Sequence, residues 1–320
     1  MRRLLLAVIV SAVALGAACG GSGSGGGDDP GAGFEVSAEV ASFDLAVDRD
    51  ERFTVGFFAP DNRVLAYGDV TLRFGFAGTA DAPEREITPG SPVEAGFLPV
   101  PGQDIDPDRP GPRLVAPSEA RGVYGADGVV FDRPGNWIVT AAGDVDGEPF
   151  EAQAAFQVND EPQVVAVGDP APATRNPLPG DPSVPPAAID SRAEDSSVPD
   201  PELHSTTVAD ALAAGRPLVV VASTPVFCTS RFCGPITDAV AELAREYGDR
   251  VDFVHLEIWQ DFENQVVNPS AGEWIFPRDG GNAREPWVFV VAADGVVQAR
   301  FDNVATEPEL RAAVEAVAGT

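Results

Sequence analysis

The chain has 320 residues, which is enough for two domains with separate hydrophobic cores. It carries 50 acidic residues against 21 basic ones, so its formal net charge is −29, and every basic residue is an arginine. We do not expect so acidic a chain, with no basic stripe, to bind nucleic acid. The lack of lysine also excludes Schiff-base chemistry and a lysine general base.

The N-terminus has the pattern of an export signal. Residues 1–18 join a positive start, MRR, to an apolar run too short to span a bilayer comfortably, which predicts a signal peptide. Cys19 follows small residues and precedes a Gly/Ser-rich tether that extends to residue 33. The pattern resembles a bacterial lipoprotein signal, which implies that Cys19 is lipidated and holds the mature protein on the outer side of the cell membrane. A plain secretory signal is the alternative, because Gly16 stands where that motif usually has leucine.

Residues 34–158 carry short alternating runs separated by Gly, Pro, Asp and Asn, and this pattern is typical of β-strands. The turn sequence GDVDGE at 143–148 predicts a hairpin, and Trp137 is expected in the core of the penultimate strand. We therefore predict an all-β immunoglobulin-like sandwich. The range contains neither histidine nor cysteine, and no catalytic constellation is visible in it.

Residues 159–203 are rich in Pro, Asp and Ser and predict an extended, weakly structured linker. Residues 204–320 then predict a capped helix, a buried strand, a second helix, a second strand, a hairpin and a closing helix. A βαβ unit followed by a β-hairpin and a helix is the order of an α/β thioredoxin-like domain.

Two cysteines lie between the buried strand and the second helix, in the stretch FCTSRFCGPIT. Because proline is favoured only in the first turn of a helix, Pro235 predicts that the helix starts near Cys233 and leaves Cys228 in the preceding loop. The pair can then close as a disulfide. Cys233 would lie at a helix N-terminus, where free N–H groups stabilise a thiolate.

The stretch VVVASTPVFCTSRFCGP resembles the strand, loop and helix of membrane-tethered thiol-disulfide oxidoreductases with a thioredoxin-like domain. The usual spacing of two residues between the cysteines is four here. REPW, at 284–287, stands where that family has its cis-proline loop. The resemblance implies that Pro286, with Arg284 and Trp287, forms a substrate groove beside the cysteines.

The stretch TPVFCTSRFCG is also similar to the peroxidatic motif of bacterioferritin-comigratory-type peroxiredoxins, with one residue inserted before Cys228. This second resemblance makes Cys228 the nucleophile, whereas the position at the helix N-terminus favours Cys233. The sequence leaves the choice between them open. Glu257 and Asp261 follow the central strand and are candidate proton acceptors near the thiols.

The predicted function is thiol-disulfide exchange outside the cytoplasm, acting on thiols or disulfides of exported proteins together with a redox partner that the sequence does not identify. One alternative is a thiol peroxidase. Another is a non-enzymatic surface adaptor, or a copper-binding module like the Sco-type chaperones, with a structural disulfide. Copper binding needs histidine, and the chain has only His204, expected at a cap or in solvent, and His255, expected in a strand. We predict no metal site and no cofactor.

Overall fold

The computed structural model describes residues 35–106 and 108–319. The predicted signal peptide, the lipidation site at Cys19 and the tether lie outside the described residues. Within the described part of the chain, no helix is both long enough and apolar enough to cross a membrane.

The alternating runs between residues 37 and 158 form nine strands, all paired antiparallel. They pair in the order β6-β3-β2-β7-β5-β4-β8-β9, and β1 pairs with β2. The strands are β1 (Ser37–Val40), β2 (Glu51–Phe58), β3 (Val64–Ala66), β4 (Asp69–Gly78), β5 (Val93–Pro99), β6 (Arg113–Val115), β7 (Gly122–Val129), β8 (Gly135–Val145) and β9 (Glu148–Val158).

Aromatic rings fill the core of this first sheet. The ring of Phe53, on β2, lies 4.8 Å from that of Phe74 on β4 and 5.1 Å from that of Phe156 on β9. Since β2 is hydrogen-bonded to neither of those strands, the sheet folds over and packs one part of itself against another. The region is therefore mostly β and compatible with the predicted sandwich. Trp137, on the penultimate strand, is buried as predicted.

The segment between the two sheets has little regular structure, as its composition predicts, but it is not loose. Two short 3-10 turns, Pro186–Ala188 and Pro201–Leu203, are its only helical elements among the described residues. Its scattered apolar residues are buried, among them Val164 and Ile189. Burial of these side chains fixes the segment against the rest of the fold. The Pro-rich composition of the segment gives no sign of this packing.

The second sheet holds four strands in the order β11-β10-β14-β15. Strands β10 and β11 are parallel, and the other two pairings are antiparallel. The remaining elements are α1 (Val208–Ala213), β10 (Leu218–Ser223), α2 (Cys233–Tyr247), β11 (Asp252–Glu257), the short hairpin β12 (Trp259–Asp261) and β13 (Val266–Val267), α3 (Pro269–Ile275), β14 (Trp287–Val291), β15 (Val297–Asp302) and α4 (Glu307–Ala318).

Helices cover both faces of the second sheet, which explains why its central strand is an unbroken apolar run. Val219 and Val221 of β10 pack in one core with α2 and α4. Leu218 and Val220 pack in the other core, with α1 and α3. A strand whose side chains alternate between two buried faces has no polar face, and all six residues of β10 are buried.

The two sheets are joined by buried ion pairs and aromatic contacts within one structural unit. The Arg300 guanidinium, on β15, lies 2.9 Å from the Asp44 carboxylate, and these side chains are 10% and 3% exposed. Arg52, on β2, makes two hydrogen bonds of 2.8 and 3.2 Å to Glu309 on α4. These ion pairs hold β2 and the loop between β1 and β2 against the last hairpin and helix of the described chain.

Candidate active site

The two cysteines form a disulfide at the start of helix α2. Cys228 and Cys233 are bonded, with their Cα atoms 6.0 Å apart. The helix begins at Cys233, which confirms the start that Pro235 predicts. We refer to residues 224–233, between β10 and the first turn of α2, as the cysteine loop. It lies at the carboxyl end of the buried strand β10, where open sheets with parallel strands usually bind ligands.

The two sulfur atoms differ in exposure and in hydrogen bonding. Cys233 is fully buried, whereas Cys228 is half-buried. The Cys228 Sγ atom lies 3.3 Å from the Ser230 hydroxyl and accepts a 3.3 Å hydrogen bond from the backbone N–H of Cys233. Both groups can donate to a thiolate, and donors of this kind lower the pKa of a thiol. Cys228 is therefore both the more exposed of the two cysteines and the one whose sulfur has hydrogen-bond donors.

The loop before β14 brings a carboxyl group to the disulfide. The Glu285–Pro286 peptide bond is cis, and a carboxylate oxygen of Glu285 lies within 4.8 Å of both sulfur atoms. Burial raises the pKa of Glu285, and the charge of Glu257 raises it further. Glu285 could not be recognised from a motif, and its position next to Pro286 is the one feature of the sequence that points to it.

Of the two predicted proton acceptors, only Glu257 is held inside the fold. Its carboxylate accepts a 2.8 Å hydrogen bond from the backbone N–H of Ser191, and burial raises its pKa. Asp261 is exposed and hydrogen-bonds within its own turn, to Asn264. Burial raises the pKa of a carboxyl group, as expected for a proton acceptor. Glu257 has this environment and the exposed Asp261 does not.

The residues predicted to form a substrate groove divide between core and surface. Trp287 is only 2% exposed, and Phe43, from the loop between β1 and β2, packs edge-on against it at 5.8 Å; both side chains line an open cleft together with Arg284. Pro286 is buried as well, while Arg284 is exposed and lies over the Phe43 ring.

An open cleft of about 820 Å³ lies between the cysteine loop and the first sheet. Phe232, just before Cys233, packs with valines of the first sheet and of the segment before α4, and this contact fixes one wall. The residues lining the cleft include Glu39, Phe58, Ser230, Phe232, Arg284 and Glu285. The first sheet therefore contributes to the surroundings of the cysteines, which sequence reasoning missed because no local pattern indicates that the sheets dock.

Both histidines are buried and meet at one carboxylate. His204 Nε2 and His255 Nδ1 each lie 3.4 Å from Asp190 Oδ2. We call these three residues the Asp190 cluster. His204 is 4% exposed, so the expected role in solvent does not hold, because the segment carrying it packs against β11. Nothing in the spacing of the three residues along the chain indicates that they meet.

No protein-family model matches this sequence, and no curated protein was found to match it.

Proposed function

We propose that the chain is a thiol-disulfide oxidoreductase whose redox pair is Cys228 and Cys233, carried by a thioredoxin-like domain. The observation that carries the proposal is the asymmetry of the pair: a half-exposed sulfur with two hydrogen-bond donors is bonded to a fully buried one. The element order supports the domain assignment, since a parallel β10–α2–β11 unit is followed by an antiparallel hairpin and the closing helix α4. The immunoglobulin-like character of the first sheet is part of the same proposal.

We take Cys228 as the nucleophile of the reduced form, because it is the more exposed of the two cysteines. Its thiolate attacks one sulfur of a substrate disulfide, the substrate S–S bond breaks, and the leaving thiolate takes up a proton. The Cys233 thiolate then attacks the Cys228 sulfur of the mixed disulfide and releases the second substrate thiol. Two electrons pass from the protein to the substrate, and the same steps in reverse oxidise a substrate dithiol. Ser230 and the N–H of Cys233 stabilise the thiolate that attacks.

Glu285 is placed to serve the proton transfers. Its carboxyl lies within 4.8 Å of both sulfurs, and its raised pKa favours the neutral form, which can give a proton to a leaving thiolate. In its ionised form it would oppose thiolate formation at the same sulfurs. The cysteine pair therefore works beside an acid whose charge state controls thiol reactivity.

The substrate class we propose is an exported polypeptide. The open cleft is bounded by the first sheet and by Ser230 and Phe232 of the cysteine loop, so an extended segment bound there would lie beside the loop that carries Cys228. The lipoprotein-like signal supports an extracytoplasmic site of action, with the chain anchored to the membrane through Cys19 and supplied with electrons or oxidant by a separate redox partner. Persistence of a disulfide fits that compartment.

The test uses a peptide disulfide that joins a fluorophore to a quencher. We expect the reduced protein to cleave it, Cys228→Ser to be inactive, and Cys233→Ser to accumulate a covalent mixed disulfide through Cys228. Cys19→Ser is the matched control and keeps the wild-type rate in detergent-free solution. Full activity in both single variants of the pair would contradict the proposal, and trapping on Cys233 alone would reverse the assignment of the nucleophile.

A second measurement separates a redox pair from a structural disulfide. Equilibration in glutathione buffers, read by alkylation and mass, gives the reduction potential of the pair. We expect a value between roughly −120 and −270 mV, the range of exchange catalysts, while a value below about −300 mV indicates a structural disulfide. Thiol loss with hydrogen peroxide far faster than peptide cleavage would assign the pair to a peroxidase instead.

A further inference from the structure

The Asp190 cluster brings together three side chains from separate parts of the chain, all closed off from solvent. Asp190 and His204 come from the segment between the two sheets, and His255 comes from β11. Their side chains are 0%, 1% and 0% exposed. The carboxylate oxygen and the two ring nitrogens that face one another all lie within 4.8 Å. A carboxylate oxygen and two ring nitrogens this close together and out of water need a proton or a cation between them.

The hydrogen bond on the far side of the His255 ring makes this need explicit. His255 Nε2 lies 3.1 Å from the backbone carbonyl of Ser223. A carbonyl only accepts, so Nε2 carries the ring proton, and a neutral ring then presents the lone pair of Nδ1 to the Asp190 carboxylate. Among the described residues, neither His255 Nδ1 nor His204 Nε2 has a hydrogen-bond partner.

The distances fit a metal ion better than they fit hydrogen bonds. Both ring nitrogens lie 3.4 Å from Asp190 Oδ2, which is long for an N–H···O bond. A tetrahedral ion with bonds of about 2.1 Å separates its ligand atoms by about 3.4 Å, and two imidazoles with one carboxylate are a ligand set that Zn²⁺ accepts. Donation from the second ring nitrogen of His255 to a backbone carbonyl is the usual outer support of a zinc-bound histidine.

We propose that Asp190, His204 and His255 bind one Zn²⁺ ion. The ion would fasten the segment between the sheets to strand β11, and a fourth ligand such as water would complete the tetrahedron. This site lies apart from the cysteine pair and does not depend on the function proposed for that pair.

Arg192 already pairs with the Asp190 carboxylate, and its geometry is compatible with a metal on the same oxygen. Its guanidinium lies 3.0 Å from Asp190 Oδ1 and 2.7 Å from Oδ2. A carboxylate oxygen offers more than one lone pair, so Oδ2 can accept from Arg192 and bind the ion. Asp200 and Asp238, at 2.8 and 2.9 Å, balance the arginine charge. Arg192 thus orients the carboxylate as an outer-shell partner does.

The test measures zinc retained by the full mature chain. The oxidised protein, whose cysteine sulfurs are paired, is stripped with a chelator, given Zn²⁺, passed through gel filtration and analysed for metal. We expect about one zinc per chain in the wild type, and the same in Cys228→Ser/Cys233→Ser, which excludes the thiols as ligands. His255→Gln and His204→Gln are expected to weaken retention by more than the roughly 10- to 100-fold typical of losing an outer-shell partner. Asp279→Asn, at an exposed position, is the matched control and retains zinc.

A readout on the wild type keeps the test valid where a variant fails to fold. Loading with Co²⁺ is expected to give the visible absorption of tetrahedral cobalt without a thiolate charge-transfer band. Absence of retained zinc in the wild type, or equal retention in all variants, overturns the proposal. Nitrogen NMR that finds both nitrogens of the His255 ring protonated after Zn²⁺ is added overturns it as well, because a proton then occupies the place assigned to the metal.

Discussion

The cysteine loop and the Asp190 cluster are both connected to Ser223, yet they differ in origin and in access. The Ser223 hydroxyl donates to Thr237, whose own hydroxyl donates to the Cys233 carbonyl, while the Ser223 carbonyl faces the His255 ring. The cysteine loop consists of ten consecutive residues, and its Cys228 is half-buried. The Asp190 cluster comes from three distant segments and is sealed. Under the two proposals above, reaction chemistry belongs to the accessible site and stabilisation of the fold belongs to the buried one.

Asp190→Asn should have the largest effect of the variants that distinguish the two sites. It removes the negative charge opposite Arg192 and the ring nitrogens, and breaking a buried ion pair from one side costs about 3 to 5 kcal/mol. The free energy of unfolding in urea measures the loss. Asp279→Asn, at an exposed position, is the control and should change it little. A loss no greater than that of the control would show that the buried site contributes little to stability.

Removing the disulfide should cost less. The loop closed between Cys228 and Cys233 is short, and the loss of chain entropy that it imposes on the unfolded state corresponds to about 2 kcal/mol. Unfolding of Cys228→Ser/Cys233→Ser in urea, beside the oxidised wild type, gives the value. A loss greater than that of Asp190→Asn would reverse the comparison, because the accessible site would then be the main structural one.

Ser230→Ala should slow the reactions of Cys228 without unfolding the protein. It removes one of two donors to the sulfur, so the pKa of the Cys228 thiol rises and less thiolate is present near neutral pH. We expect alkylation of the reduced protein near pH 7 to slow by about two- to fivefold. The pH profile of the rate should shift to higher pH, whereas Ser183→Ala, on an exposed loop, should leave it in place. An unshifted profile would mean that the N–H of Cys233 alone stabilises the thiolate.

Glu285→Gln should have the smallest effect, and one that depends on pH. Burial and the Glu257 charge raise the pKa of Glu285 above its ordinary 4.5, so the folded state holds this proton more tightly than the unfolded state. Wild-type stability therefore falls as pH rises from about 4.5 through the raised pKa. Glutamine does not titrate, so the variant should be more stable than the wild type at pH 7 and lose that advantage below pH 4.5.

Thermal unfolding of both proteins at several pH values measures this difference. A constant difference across the pH range would mean that Glu285 does not titrate in the way its burial indicates. If Cys228 is alkylated faster in Glu285→Gln than in the wild type at pH 7, the ionised carboxylate of Glu285 opposes formation of the Cys228 thiolate.

The features that were predicted correctly from the sequence are those that depend on residues close to one another along the chain. Pro235 determines where helix α2 begins, and the Asp146–Gly147 turn, with positive φ at both residues, closes the β8–β9 hairpin as predicted. The Asp190 cluster could not be predicted, because nothing in the sequence around each of its three residues indicates that they meet in the fold. The contact of Phe43 with Trp287 could not be predicted either, because Phe43 lies in the loop between β1 and β2, far from Trp287 in the sequence. Short elements such as β12, β13 and α3 carry too few residues for a periodic pattern.

The joint between the sheets has a consequence for the order in which the chain folds. Asp44 and Arg52 are made early in synthesis, but their partners Arg300 and Glu309 lie more than 250 positions later. A chain emerging N-terminus first can pair the strands of its first sheet, yet Asp44 and Arg52 lack these two ion-pair partners until the last hairpin and helix arrive. We therefore expect the first sheet to reach its final stability only after the second sheet has formed. Stopping synthesis before β15 should leave a product that is exposed to proteases and prone to aggregate, even though every strand of the first sheet is present.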